Sequence, residues 1–368
     1  MSYPPIQPNV VETIDSPALL IYPEIVKENI AAAQSILDVS KNNSLRPHVK
    51  SVKCLEVIQM AMECGIRKFK CSTIAEAELL GMAKAEDILL NYQLSHVKAE
   101  RFKDLMSRYP DSAFSCLVDN IESAQLLSAL FPDEPVSVYI DVNLGMDRTG
   151  VKAENALSLL KEIKQLDGVY VRGFHSYEGH IDSSNRGARL EQAFEAYLTM
   201  MDLKRGGMQI LERNLDLVLG GSPNFEYYAK QEGLECSPGT FFLWDCGYGK
   251  NYPEIPFKVA AVLLTRVISI IDDKKLCLDL GYKAVASDSP LPRVMFPDLP
   301  EYTVLGQYEE HLVIQVPDTS VFEVGTPLYA VPYHICPTVN LYEKVFAIES
   351  DQVSDTWKIL ARDRQITI

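Results

Sequence analysis

The stretch "RKFKCSTIAEAELLGMAKAEDILLNY", residues 67–92, decides the fold. "RKFKCS" (67–72) reads as a short strand, and "AEAELLGMAKA" (75–85) is built from good helix formers. "DILLNY" (87–92) returns to an extended pattern. Strand, helix and strand at this spacing make one βα unit. Moving outward, the unit recurs. Strand patterns stand at "PALLIY" (17–22), "LRPHVK" (45–50), "AFSCLV" (113–118), "VSVYIDV" (136–142), "VYVRGFHS" (169–176), "LDLVLGG" (215–221) and "LECSPG" (234–239). Helical patterns such as "EIVKENIAAAQSILD" (24–38), "CLEVIQMAMEC" (54–64), "NIESAQLLSALF" (120–131) and "AENALSLLKEIKQL" (153–166) lie between them. So many units in a row predict an α/β fold, a parallel sheet closed into a (β/α)8 barrel, with an open doubly wound sheet as the alternative.

After about residue 245 the pattern changes. "FKVAAVLLTRVISIIDDKKLCLDLG", "YTVLGQYEEHLVIQVP" and "EKVFAIESDQVSDTWKILAR" each read as two extended segments around a polar turn, with no helix pattern between them. The expected domains are therefore a barrel over 15–245 and an antiparallel β-domain over 246–368, with a Pro-rich extended arm, 1–14, joined to the latter.

The chain has 368 residues, 47% of them hydrophobic, enough for one large domain or two ordinary ones. A formal net charge of -15 argues against a nucleic-acid or anionic-membrane partner and leaves small ligands. No secretory leader pattern and no long apolar run appears, so a cytoplasmic protein is expected. Cys54, Cys64, Cys71, Cys116, Cys236, Cys246, Cys277 and Cys336 form no C-x-x-C pair and read as free thiols.

Four stretches carry candidate chemistry. In "LRPHVKSVK" (45–53), strand geometry sends Arg46, His48 and Lys50 to one face. Cations inside a barrel suggest an anionic ligand, and they depress the pKa of a neighbouring lysine; the plain alternative is ion pairing of Arg46 and Lys50 with buried carboxylates. "LDLVLGGSPNFEYYAK" runs from a strand through Gly220, Gly221, Ser222 and Asn224 into a helix, as phosphate-binding βα turns do, although ordinary turns share these residues. "DVNLGMDRTG" puts Arg148 in a loop after a strand. In "PYHICPTVNLY", His334 and Cys336 stand two apart on an expected strand, where imidazole and thiolate would share a side; this suits zinc, or equally a buried thiol beside a histidine. No H-E-x-x-H or G-x-S-x-G motif occurs.

Together, and in this order from "IDSPALLIY" to "HICPTVNLY", these stretches resemble the D-threonine aldolase and D-serine dehydratase family, which has the alanine-racemase-type fold III architecture for pyridoxal 5'-phosphate (PLP). The resemblance implies a PLP barrel and a C-terminal β-domain in a homodimer. It puts the PLP lysine of "RPHVK" at Lys50, with His48 and Arg46 setting its environment. It puts Arg148 near the cofactor's phenolic oxygen and Tyr177 of "HSYEGH" at the pyridine nitrogen. Gly220, Gly221, Ser222 and Asn224 would hold the phosphate, and His334 and Cys336 a divalent metal, zinc first and manganese second. The chain reads "KSVK" where family members read "KTHK", so Val52 replaces a polar residue. Its His-x-Cys resembles the dehydratase branch, whereas bacterial D-threonine aldolases present His-x-Asp. The expected function is a PLP-dependent, metal-assisted lyase of D-3-hydroxy amino acids, dehydration before retro-aldol cleavage, and racemization third. A non-catalytic PLP carrier fits less well, because of the β-domain, as does a glycosidase, because of the cationic strand.

Overall fold

The computed structural model describes residues 8–37 and 42–368. The start of the expected arm and Asp38, the last residue of the first helical pattern, lie outside these residues; the rest of the arm is not extended but begins with the short helix Pro8–Val11. The chain divides into two compact units. One comprises Met1–Ala32, Ser51–Val57 and Thr240–Arg362; the other comprises Ala33–Lys50, Ile58–Gly239 and Asp363–Ile368.

In chain order the strands begin with β1 (Ala18–Ile21), β2 (Ser44–Leu45), β3 (Lys68–Cys71), β4 (Asp87–Gln93) and β5 (Ala113–Val118). They continue with β6 (Val136–Asn143), β7 (Val151–Lys152), β8 (Val169–Ser176), β9 (Asp216–Leu219) and β10 (Glu235–Cys236). In the second unit, eight parallel strands run in the order β2-β10-β9-β8-β6-β5-β4-β3, with β7 attached to β6. A parallel bridge between His48 and Lys70 brings the two ends of the sheet together. The sheet is thus a near-closed barrel, as the repeated βα pattern predicts. Leu89, Leu117, Tyr139 and Val218, from four of its strands, make a fully buried cluster; such layers of side chains fill a barrel of this size.

The amino-terminal ends of these strands hold an ion network. Arg46, fully buried, donates to Glu235 (2.6 Å) and Asp87 (2.8 Å). Arg172 bonds Asp87 (2.8 Å) and Asp216 (3.1 Å), and Lys68 pairs with Glu235. Burial alone would raise the Asp87 carboxyl, but the Arg46 and Arg172 guanidinium groups hold it down at about 2.

The other unit is a mixed sheet. Its further strands are β11 (Ala261–Ile270), β12 (Lys275–Leu278), β13 (Val294–Met295), β14 (Thr303–Gln307), β15 (Leu312–Gln315), β16 (Pro327–Pro332), β17 (Lys344–Glu349) and β18 (Gln352–Lys358). The order is β14-β15-β12-β11-β1-β17-β18, with β16 on β11 and β13 on β16. The three expected hairpins are present as β11–β12, β14–β15 and β17–β18, all antiparallel.

Two sequence expectations are corrected here. "PALLIY" reads as a barrel strand by its place before a helix, but β1 pairs antiparallel with β11 and parallel with β17. A four-residue strand with every side chain buried matches a barrel strand and a central sheet strand equally well, and local pattern cannot say which sheet it joins. The β-domain also contains helical turns that the extended patterns hid, among them Cys246–Asn251, capped by Asp245, and Ile335–Val339. Among the described residues, no helix is long and apolar enough to cross a membrane, and the eight cysteines are free thiols.

Candidate active site

Arg46, His48 and Lys50 occupy three different environments rather than one face. The extended path of β2 continues to His48: Arg46 N–H donates to Cys236 O (2.8 Å) and His48 N–H to Pro238 O (2.9 Å), while Pro47 O accepts from Lys70 N–H (2.8 Å). The chain then turns into a 3-10 turn, Val49–Ser51, so Lys50 leaves the strand's alternation and stands half-buried at the strand ends. Arg46 belongs to the buried ion network, the plain alternative weighed above. His48 bonds Ser72 Oγ (2.9 Å) through Nε2 and accepts the Lys50 N–H (3.2 Å) at Nδ1.

At the carboxyl-terminal ends of the strands lies a cavity of about 510 Å³, whose walls include Lys50, Ser72, Asp141, Arg148, His175 and Tyr177. The Tyr177 ring is its centrepiece. Arg148 Cζ lies 5.1 Å, Lys50 Nζ 5.5 Å and Lys70 Nζ 5.9 Å from the ring centroid, within cation–π range. Arg148 is carried by the loop after β6, which Asn143 shapes by accepting the N–H groups of Gly145 (2.9 Å) and Asp147 (3.2 Å).

Behind the ring runs the Gly220–Asn224 turn. Gly220 has φ +94°, a conformation that disfavours a side chain, and a Cβ on Gly221 would stand 2.9 Å from the Tyr177 ring. Ser222 Oγ accepts the Gly239 N–H (3.2 Å). The Asn224 amide donates to Glu178 Oε1 (3.1 Å) and Ile181 O (3.0 Å), so this side chain braces the turn. Burial raises the pKa of the Glu178 carboxyl.

A buried chain of polar groups, absent from the sequence reading, backs the cavity. Lys70 Nζ donates to Ser237 Oγ (2.6 Å) and lies 3.5 Å from His175 Nε2. His175 Nδ1 meets Asp141 Oδ1 at 2.8 Å, and Asp141 Oδ2 accepts from Gln93 (2.8 Å) and Thr149 (2.9 Å). Burial, and then the neighbouring Lys50 charge, lower the Lys70 ammonium to about 7. Burial also lowers the His175 pKa, while Asp141, despite burial, is held below its ordinary range by the His175 bond. A depressed lysine thus stands beside the cations of "LRPHVK", at Lys70 on β3. Its signal was a lysine at the inward position of a barrel strand in "RKFKCS", a place normally filled by an aliphatic side chain.

In the other unit, His334 and Cys336 sit where β16 leads into the helix Ile335–Val339, with His334 as its N-cap, and not on a strand. A proline follows Cys336, so a ladder could not continue there. Asp288 Oδ2 bonds His334 Nδ1 at 2.5 Å, and Thr240 Oγ1 lies 3.3 Å from Cys336 Sγ. Burial would lower the His334 imidazole, but Cys336 and Asp288 outweigh it and push it up to about 9. Among the described residues, no group of three or more His, Cys, Asp or Glu side chains is arranged to hold a metal ion.

The family model for the alanine racemase N-terminal domain matches residues 21–217, more than half of the chain. The chain belongs to this family. A serine dehydratase domain model matches residues 260–348, in the unit that carries His334 and Cys336. Over 98% of its length the chain is 26% identical to D-threonine aldolase of an Arthrobacter species, covering 96% of that protein. Over 95% it is 24% identical to D-threo-3-hydroxyaspartate dehydratase of Delftia sp. strain HT23, covering 98% of it. The crystal structure of D-threonine aldolase from Filomicrobium marinum superposes with a TM-score of 0.84 at 24% identity, covering 95% of each chain. This alanine-racemase-like chain thus has the fold of that structure, as the resemblance implies, and aligns end to end with proteins named for lyase reactions.

Proposed function

We propose that the chain is a PLP-dependent lyase of D-3-hydroxy amino acids, with dehydration to a 2-oxo acid and ammonia as its first reaction. The observation that carries this reading is the cavity lined by Lys50, Arg148 and Tyr177, with Lys70 buried behind the Tyr177 ring and a glycine turn beside it. Its donor set fits PLP: an amine for covalent linkage, a close-approach turn for a phosphate, and an excess of cations for an anionic cofactor and substrate. Lys50 would hold the cofactor, Gly220, Gly221 and Ser222 its phosphate, and Arg148, Tyr177 and His48 its ring; Asn224 would keep the turn in shape. When bound, PLP supplies an electron sink for charge developing at the substrate α-carbon.

Lys50 then takes the proton from that carbon. The Tyr177 ring holds Lys50 and Arg148 by cation–π contact at the cavity wall. Lys70, tied to Ser237 and His175, keeps a positive or readily protonated group behind the cavity wall, and Asp141 fixes the His175 ring. His334 and Cys336 are an imidazole and a thiol suited to zinc or manganese, but a zinc centre open to substrate uses three protein ligands. No step is assigned to a metal. A homodimer in the cytoplasm is part of this reading.

Retro-aldol cleavage is the second reading, favoured by the full-length similarity to D-threonine aldolase. Incubation of the PLP-loaded protein with D-threonine, with and without zinc or manganese, separates the two. Dehydration yields 2-oxobutanoate and ammonia; cleavage yields glycine and acetaldehyde. Recovery of L-allo-threonine, the α-carbon epimer of D-threonine, as the sole product would replace both with a racemase.

A further inference from the structure

Beside the candidate active cavity the barrel unit carries a second one, of about 350 Å³, and the two share Ser72 and Tyr92 as walls. Ile74, Leu90 and Leu94 make its lining apolar, all 5% exposed or less. Its charged residues are Lys98, Arg101 and Arg364, and no carboxylate side chain lines it. That is unexpected in a chain with 50 acidic and 35 basic residues.

The cations are placed by specific contacts. Lys98 and Arg101 lie three apart on the helix His96–Arg108 and so share a face. Lys98 Nζ lies 4.3 Å from the Tyr92 ring centroid. Arg101 Nη2 donates to the main-chain oxygens of Arg364 (3.1 Å) and Ile368 (2.6 Å), while its buried Nε has no hydrogen-bond partner. Glu78, fully buried, accepts the N–H groups of Thr367 (3.1 Å) and Ile368 (3.3 Å) and pairs with the Thr367 hydroxyl. These contacts tie the Asp363–Ile368 segment to its own unit and bring Arg364 to the pocket. Among the described residues, neither Lys98 nor Arg364 makes an ion pair.

We propose that this pocket binds a carboxylate carried on an apolar body, of the arylalkanoate or alkanoate class. The apolar walls take the hydrocarbon, and Lys98, Arg364 and the free Nε of Arg101 take the carboxylate. Such a ligand has two sources: the far end of a substrate substituent reaching past Tyr92, or a separate small molecule. The binding itself does not depend on the reaction proposed above.

The test is a calorimetric titration of the full PLP-loaded chain with 4-phenylbutanoate, and with 4-phenylbutan-1-ol as the neutral control. One saturable site is expected for the acid, with at least tenfold weaker binding of the alcohol. The double variant Lys98→Gln/Arg364→Gln, changed only at the rim, should bind the acid at least tenfold more weakly with an unchanged melting temperature. Lys50→Ala should bind it as the parent does, which separates this site from the catalytic reading. No saturable heat, equal binding of acid and alcohol, or an unaltered double variant overturns the proposal. In a D-threonine turnover assay, competitive inhibition by the acid identifies the substrate's far end as the source. A changed kcat without competition identifies a separate ligand.

Discussion

The two ends of the barrel strands use the same residue types in opposite ways. At the amino-terminal end, Arg46, Lys68 and Arg172 face Glu235, Asp87 and Asp216, and every cation in the network has a carboxylate partner. At the carboxyl-terminal end, Lys50, Lys70 and Arg148 gather around a tyrosine ring, and of the two buried carboxylates that act on Lys70, Asp141 is engaged by His175 and Glu178 by Asn224. Paired charge gives the barrel its floor, while the cations of the other end have no direct carboxylate ion pair among the described residues, which suits the anionic ligand proposed above. The difference follows the general division in such barrels between a stabilising end and a functional one.

Breaking the functional end should have the largest effect. Lys50→Ala should lower turnover by about a thousandfold or more and remove the visible absorbance of lysine-linked PLP, with unchanged far-UV circular dichroism. A variant that keeps both signals moves the PLP lysine elsewhere. At the opposite end, Arg46→Met should cost about 3–5 kcal/mol in urea unfolding, because Glu235 and Asp87 lose a buried partner. The same network predicts acid sensitivity. Asp87 has a folded pKa of about 2 against an ordinary 3.8, so its contribution is complete above about pH 4 and lost as pH falls towards 2. An Arg46→Met protein as stable as its parent would erase the contrast between the ends.

Smaller changes sharpen the comparison. Gly221→Ala places a methyl group 2.9 Å from the Tyr177 ring and should weaken PLP binding about tenfold, read by cofactor titration, with a much smaller change in melting temperature. The last expected effect, spread over several pH units, concerns Lys70. Its folded pKa of about 7 lies below the ordinary 10.5, so between those values the unfolded chain holds a proton that the fold does not. In the cofactor-free protein, stability should therefore rise with pH from 7 to 10.5, by at most about 1.4 kcal/mol per pH unit from this group. Lys70→Met should flatten that slope; an unchanged slope would mean that Lys70 is charged throughout.

Particular residues show how far the sequence could be read. The strand and helix patterns between 67 and 176 place β3 to β6 and β8 nearly to the residue, because each element's period is written in its own few positions. Lys50, Arg148 and Gly220 stood out by residue type near strand ends, and Tyr177 only through the family resemblance. Lys70, His175 and Asp141 did not, because their link is spatial: Lys70 and His175 are 105 residues apart. The role of Arg46 was open for the same reason, since its partner Glu235 lies 189 positions away.

The sequence by itself determined the repeating βα units, the three C-terminal hairpins, and the motifs on which the family resemblance rests. All of these depend on neighbours a few residues apart. Only the tertiary structure decided that β1 joins the mixed sheet, that Arg46 serves the floor of the barrel, and that Lys70 is the depressed lysine. It also brought Arg364 to a second pocket, through Glu78 and a segment 289 residues further along. Strand pairing, burial and charge compensation are properties of contacts between distant segments, and hydrophobic period alone does not choose among them.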